Sequence, residues 1–324
     1  MGIWVDTDFG FDDLWALLIL RHLNIEVDGV SLVAGNVPLQ QVIKNAGAST
    51  ATFSFDWPVY AGAVKPLQRT PETAERILGK FGMRSRGLQL PDYRLEPIAQ
   101  GQANTVCNEP VHTLPDKQNA AIDAMAAWLS DSNQQHILAI GPLTNIALLL
   151  EHYPDATKNI KRLTWMGGSS GRGNHSQYAE YNAIADPEAL AAVAASDIPF
   201  RMIDLELCRQ VTFTEDQMPT MRGKNGRLLT DLLGGYLDIA LHRDRLSMAI
   251  YDPLAALAIA QSKLFNFIPA SLHVHTTTDS QYGQTLFSDH KPDSNNKLSG
   301  KFEYSTKIDI LSARKICFAA LQNA

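Results

Sequence analysis

Residues 3–22 read IWVDTDFGFDDLWALLILRH, a run whose character changes from apolar to acidic and back to apolar. Ile3 to Val5 has the composition of a short buried strand, and Asp12 to His22 has the length and apolar density of the helix that follows it. Between and within them stand Asp6, Asp8, Asp12 and Asp13, four carboxylates within eight positions. A strand that turns at a glycine into a helix opens a βαβ unit. It sets the carboxylates at the C-terminal edge of a first strand, which is where open α/β sheets bind ligands.

The same alternation runs outward from this segment. Val27 to Ala34 reads as a second strand and Leu39 to Phe53 as a second helix, followed by strand-like Pro58 to Tyr60 and a helix near Ala120 to Leu129. His136 to Ile140 reads as a strand, with a helix after it opened by Pro142 in its first turn. Arg162 to Met166 and Phe200 to Ile203 read as further strands. The expected class is therefore α/β, an open, mostly parallel sheet flanked by helices with a Rossmann-like core. Two segments break the rhythm, Leu78 to Pro115 and the Gly-, Ser- and Asn-rich Gly167 to Tyr178, and both have the character of loops beside a ligand. After Thr214 the pattern turns more helical, and from Ser271 to Ile308 strand-like again around a polar loop at Asp289 to Ser299.

Composition narrows the function classes. Of the 324 residues, 45% are hydrophobic and 19% charged, enough for a large core, and one domain spanning 1–324 is expected. The net charge of -6 and the absence of Lys/Arg clusters argue against a nucleic-acid partner. No apolar stretch approaches the roughly 20 residues needed to span a bilayer, and no basic, cleavable leader precedes the first strand. The three cysteines, Cys107, Cys208 and Cys317, have no metal-type spacing and leave an odd thiol, so a reducing cytoplasm is the expected location.

The acidic octet calls for something cationic. Asp6 and Asp8, two apart on an extended strand end, point to one side; Gly10 lets the backbone turn, and Asp12 and Asp13 fall at a helix N-terminus that favours negative charge. Carboxylates with no Cys or His nearby select a hard cation, and calcium, which takes roughly six to eight oxygens, is favoured over the stricter magnesium. Two other readings start from the same residues. One is an acidic helix cap with solvated neighbours, although a cap uses one or two carboxylates rather than four. The other is a haloacid dehalogenase-type phosphatase, whose Asp-x-Asp also ends a first strand; Gly10 stands where that chemistry needs Thr or Val.

The octet resembles the Asp-Thr-Asp-Pro-Gly-x-Asp-Asp signature of the inosine-uridine preferring nucleoside hydrolase family, with Phe9 in place of Pro. Further motifs follow in that family's order: Gly35-Asn36 with Asn45-Ala46, VYAGAVKPL at 59–67, Gly141-Pro142-Leu143-Thr144-Asn145, and Met166-Gly167-Gly168. Then come Gly173-Asn174, Ala179-Glu180-Tyr181-Asn182, Asp186-Pro187-Glu188-Ala189 and Asp252-Pro253, so the resemblance covers roughly Ile3 to Ala260. It implies the nucleoside hydrolase fold and calcium-dependent hydrolysis of the N-glycosidic bond of ribonucleosides to ribose and base. Calcium would be held by Asp8, a bidentate Asp13, the carbonyl of Ile140 and Asp252. The ribose would be gripped by Asp12 and Asn182 at one hydroxyl, by Asp252 at the next, and by Glu180 with Asn174 at the 5′ end, with Asn36 and Met166 lining the sugar. Taken alone, Asn174 reads as a turn residue and Met166 as core. The resemblance also implies a homodimer or homotetramer acting on a small-molecule nucleoside.

Cleaving a ribosyl C–N bond builds positive charge on the sugar, so the catalyst must supply a poised water, charge stabilisation and help for the departing base. Asp8 is the expected general base. The departures from the family fall on the base side. Tyr251 stands where many members have His before the C-terminal Asp, and Leu78-Gly79-Lys80-Phe81-Gly82-Met83 lacks the His and Asp of the corresponding loop. The usual proton donors are missing, which leaves Tyr251 and Phe81 as stacking rings, His112 and His242 as replacement acids, and a lean towards purine nucleosides. A non-catalytic nucleoside or sugar binder is the alternative that this absence leaves open.

Overall fold

The expected alternation resolves, in a computed structural model that describes residues 2–93, 120–131, 135–288 and 301–324, into a central nine-stranded sheet with helices on both faces. The strands are β1 (Ile3–Thr7), β2 (Val27–Leu32), β3 (Val59–Ala61), β4 (Gln135–Ala139), β5 (Ile160–Met166), β6 (Phe200–Ile203), β7 (Thr212–Phe213), β8 (Met248–Ala249), β9 (Phe265–Val274), β10 (Thr285–Ser288) and β11 (Phe302–Ile308). Across the sheet they run β3-β2-β1-β4-β5-β6-β11-β9-β10, while β7 and β8 form a separate two-stranded ribbon. All neighbours from β3 to β11 pair in parallel, and only β9 runs the other way, pairing antiparallel with both β11 and β10. The order reverses between β1 and β4, leaving a crevice at their C-terminal ends.

Helices complete the layers: α1 (Phe11–His22), α2 (Leu39–Phe53), α3 (Glu75–Leu78), α4 (Ala120–Asp131), α5 (Thr144–His152), α6 (Pro154–Thr157), α7 (Tyr181–Ala185), α8 (Pro187–Ala195), α9 (Leu205–Cys208), α10 (Gly226–Leu241), α11 (Asp252–Ala260) and α12 (Ile310–Gln322). Strand alternation splits the apolar residues into two cores. Ile3 and Val5 join α1, α2, α10, α11 and α12 on one face, while Trp4 joins α4, α5 and α8 on the other. Because both faces are covered, β1 is buried along its whole length, whereas β9, next to the sheet's edge strand β10, mixes buried and open positions.

The helix α1 is buried nearly all round, with Leu14, Trp15, Leu17, Leu18, Ile19 and Leu20 inaccessible. Each such side chain contributes roughly 1.5–3 kcal/mol. Trp15 also donates from its indole nitrogen to the Cys317 carbonyl at 2.8 Å, tying α1 to α12. The acidic first turn of α1 is thereby mounted on the most firmly packed helix of the fold.

The structure moves some boundaries. β1 continues to Thr7, and α1 starts at Phe11. Pro142 lies outside the helix that was expected to begin with it; α5 starts at Thr144 after Leu143. The last strand region begins at Phe265 rather than Ser271 and is followed by α12, which carried no clear signal. Cys208 and Cys317 are buried free thiols, and no helix among the described residues is long and apolar enough to cross a membrane. Cys107, His112, residues 94–115 of the first expected loop and the Asp289 to Ser299 loop lie outside the described residues.

Candidate active site

Asp6 and Asp8 part company where β1 ends. Asp6 is still in the strand, and its carboxylate accepts from the Ser31 hydroxyl of β2 and from the Asn145 side-chain amide of α5 at 2.7 Å. Asp6 therefore braces the crevice from below and does not join the expected cluster. Asn145 in turn accepts from the Ala63 backbone at 2.8 Å, which links α5 to the end of β3.

Beyond Thr7 the chain bends through Phe9 at φ 47°, held by a hydrogen bond from the Phe9 amide to the Thr7 hydroxyl (3.0 Å) and by the Asn45 amide donating to the Phe9 carbonyl (3.1 Å). A proline, fixed near -65°, cannot take this conformation. Gly10 has an ordinary extended backbone (φ -84°), contrary to the sharp turn expected of it. It is needed for space: a Cβ there would sit 2.9 Å from the Asn36 amide and 3.1 Å from oxygens of Asp12 and Asp13. Gly35 is equally constrained, since its Cβ would lie 2.2 Å from Asp8 Oδ2.

The bend brings Asp8, Asp12 and Asp13 to the crevice, and α11 adds Asp252. Asp13 accepts from the Gly10 amide (2.6 Å) and the Thr7 hydroxyl (2.5 Å). Carboxylate oxygens of Asp12, Asp13 and Asp252, the last from the first turn of α11, lie within 4.8 Å of one another. Asp8 stands beside this trio, its two oxygens accepting from the Asn36 backbone (2.7 Å) and side-chain amide (3.0 Å).

Burial is the main cause that raises all four carboxyls above the usual carboxylate range. Asp12 is pushed up to about 7 by burial and then by the Asp13 charge, and Asp13 to about 6 by burial. Asp8 and Asp252 are raised well above their ordinary value by burial and by the neighbouring aspartates. None of the leading causes of these shifts is a cationic side chain, and none of the four carboxylates has a salt bridge among the described residues. An oxygen-only, uncompensated set of this kind fits a hard divalent cation.

The walls come from the loops after β4 and β5. Ile140 follows β4 directly, and Met166 ends β5. Glu180 caps α7 and is itself buried, accepting from the backbone amides of Asn182 (2.9 Å), Ala183 (3.0 Å) and Gly168 (2.8 Å), and burial pushes it up to about 7. Asn182 donates to the Met166 carbonyl at 3.0 Å, and Asn174 accepts from the Tyr181 amide at 2.9 Å. These residues surround a cavity of about 580 Å³, the size of a small-molecule site.

Asp8, Asp12, Asn36, Ile140, Met166, Asn174, Glu180, Asn182, Tyr251 and Asp252 all line that cavity, and Asp13 lies buried beneath it. Phe81 does not: it is 42% exposed and borders a separate, smaller pocket, so Leu78 and Ile77 take its expected place. His242 is exposed, with its ring nitrogen against the Asp238 carbonyl, and is not part of the lining. Several lining residues escaped the sequence reading: Arg76, Tyr236, Arg243 and Arg245, and the His175–Glu72 pair at 2.8 Å. Tyr236 is a helix-face aromatic with no spacing signal, yet its hydroxyl donates to Ala249 O (3.1 Å) and Asp12 Oδ2 (3.3 Å).

A carboxylate-floored cavity at the switch point of a parallel sheet defines a ligand-binding α/β enzyme, and comparison with known proteins makes the class specific. The family model described as inosine-uridine preferring nucleoside hydrolase matches residues 3–310. The non-specific ribonucleoside hydrolase RihC of Salmonella paratyphi A is 31% identical over 292 residues, covering 88% of each chain. Its counterpart from Salmonella newport is 32% identical over 288 residues, covering 87% of this chain and 85% of that protein. Among solved structures, a purine-preferring ribonucleoside hydrolase from Gardnerella vaginalis superposes with a TM-score of 0.83 at 21% identity over 100% of this chain and 98% of that one. A plant nucleoside hydrolase gives 0.83 at 20% identity over 100% and 99%.

The chain belongs to the inosine-uridine preferring nucleoside hydrolase family and is a hydrolase acting on N-glycosyl bonds. The phosphatase reading of the acidic octet and the non-catalytic binder reading left open by the missing proton donor give way to this assignment.

Proposed function

We propose that the enzyme is a calcium-dependent ribonucleoside hydrolase in which Asp8 is the general base, with a preference for purine nucleosides. The observation that carries the reading is the trio of carboxylate oxygens within 4.8 Å, with Asp8 beside it and no salt bridge to any of the four among the described residues. Asp8, Asp13, Asp252 and the carbonyl of Ile140 would hold the cation, which when bound supplies positive charge that acidifies water and balances the aspartates.

The chain's own residues do the rest. Asp12 with Asn182, and Asp252, take the ribose hydroxyls, fixing the sugar against the base of the crevice. Glu180 and Asn174 meet the 5′ end, and Met166 lines the sugar. As the C1′–N bond lengthens, positive charge on the ribose is stabilised by the buried negative potential of Glu180 and the aspartates. Asp8, gripped at both oxygens by Asn36, accepts the proton that water releases as its oxygen bonds to C1′.

The purine preference rests on Tyr251. Its ring lines the cavity and is braced edge-on by Tyr236, with centroids 6.5 Å apart and planes at 80°. Burial pushes its hydroxyl up to about 12, which suits a stacking surface rather than a proton donor. Assembly into a homodimer or homotetramer is part of the same proposal, tested by sedimentation.

The decisive experiment is a panel of purine and pyrimidine nucleosides assayed for free ribose, with and without a chelator. Release of ribose that stops on chelation and returns with calcium is expected. Full activity in protein shown to be metal-free would sink the cation role, and no preference between purines and pyrimidines would remove the lean.

A further inference from the structure

The cavity has two electrostatic ends. Its floor is acidic, yet four arginines also line it, Arg76, Arg209, Arg243 and Arg245. Arg209 is already committed, donating to Glu206, to the Arg172 carbonyl (2.6 Å) and to the Gly173 carbonyl (3.1 Å). Arg76, Arg243 and Arg245 have no side-chain hydrogen bond or ion pair among the described residues. Asp244, between the last two and held at φ 56°, makes no ion pair with either among those residues. All three are exposed, so water serves their donors in the free enzyme and an acceptor on a ligand in the cavity can replace it.

Their place in the fold indicates which part of the ligand. Arg76 belongs to α3, which ends at Leu78, and Arg243 and Arg245 lie in the turn between α10 and β8, just before Tyr251. The Arg245 charge also reaches the Tyr251 hydroxyl. On the reading proposed above, which this inference deepens, Tyr251 is the residue that meets the base.

We infer that Arg243 and Arg245, assisted by Arg76, bind the carbonyl-bearing edge of the base and receive the negative charge that develops on it as it leaves. When the C1′–N bond breaks, its electron pair goes to the ring nitrogen of the base. The water oxygen bonds to C1′, and the water proton goes to Asp8. The base departs as an anion beside the guanidinium groups and takes its proton from solvent afterwards, while Asp8 returns its own proton to solvent. No side-chain acid is required, which accounts for a base side without the family's histidine.

The guanidinium fork also discriminates. A 6-oxopurine offers two acceptors on one edge, O6 and N7, which a guanidinium can bind together. Adenine offers N7 beside an amino donor that an all-donor arginine cannot satisfy. Inosine and guanosine are therefore favoured over adenosine by these arginines.

The test compares kcat/KM of the calcium-loaded wild type, R243A/R245A and R243K/R245K on inosine, guanosine and adenosine, with melting temperatures as a check on folding. The double alanine variant should lose about 10- to 100-fold on inosine and guanosine and less than about threefold on adenosine. The lysine variant, which keeps the charge without the fork, should recover only part of the loss. Equal losses on all three substrates, or none, would overturn the role of the arginines while leaving the hydrolase reading intact. A wild type that releases no ribose from any nucleoside would overturn the reading on which the inference rests.

Discussion

Removing the divalent cation should destabilise the enzyme in a manner that depends on pH. Asp13 is inaccessible and has its carboxyl pushed up to about 6 in the folded chain from an ordinary 3.8. An acid whose folded pKa is raised favours folding while it is protonated. Its contribution is fully present below about 3.8 and is lost as pH rises through about 6. Carrying Asp13 ionised at pH 8 therefore costs the metal-free protein about 3 kcal/mol. At about 2 °C per kcal/mol for a chain of this size, that is roughly 6 °C of melting temperature. Calcium, which binds only the ionised carboxylates, offsets this cost at pH 8 and has little to offset at pH 5. The assay is differential scanning calorimetry of chelated and calcium-loaded protein at pH 5 and pH 8. The calcium-dependent increment should be several degrees at pH 8 and small at pH 5. An increment equal at the two values, or chelated protein as stable at pH 8 as at pH 5, would refute the claim that the aspartates are held together by a cation.

Three further outcomes are expected. Asp8→Asn should lower kcat by about 10²–10⁴-fold with a much smaller change in KM, measured in protein whose metal content is shown to be unchanged; wild-type turnover in a fully loaded variant would remove Asp8 from the chemistry. Tyr251→Ala should weaken purine nucleosides by about 0.5–1.5 kcal/mol while Tyr251→Phe changes little; a large loss in the phenylalanine variant would make the hydroxyl the important group. Asn145→Ala, which strips partners from Asp6 and from the Ala63 amide, should cost about 2–5 kcal/mol in urea unfolding, and a variant within experimental error of wild type would show that water replaces the lost amide.

The fold was legible because its signals are local. Strand-length apolar runs alternate with helix-length ones from Ile3 to Ile203, and the acidic octet marks the first strand end. Leu39–Phe53 and Phe200–Ile203 coincide with their expected bounds. Most of the cavity lining was legible too, because the motifs that carry it fall near the ends of parallel strands and the topology brings those ends to one edge. The base side was not. Phe81 has the right chemistry but sits over a neighbouring pocket, and Tyr236, Arg243 and Arg245 reach the cavity from the α10–β8 region through tertiary packing that no spacing rule encodes. A lone arginine in a surface turn is ordinary in sequence. It becomes informative only once the structure shows that it lines a cavity and has no partner.

The division of labour within the octet shows how a single backbone angle decides function. Asp6 and Asp8 differ by two positions and would share a side on a continuing strand. The strand stops at Thr7, and Phe9 takes a positive φ that non-glycine residues rarely adopt, pinned by Thr7 and Asn45. Asp6 stays in the sheet, its Oδ1 held by Ser31 and Asn145, while Asp8 is delivered to the crevice into the grip of Asn36. The conformation is disfavoured for a bulky residue, and the four buried carboxylates are disfavoured without a countercharge. Both costs fall on the same few residues, at the floor of the crevice between β1 and β4. The rest of the first core, with α1 buried almost completely, holds them there. Packing thus stabilises an arrangement that, on the proposed function, a bound cation and a sugar would relieve, and the site lies where local stability is given up.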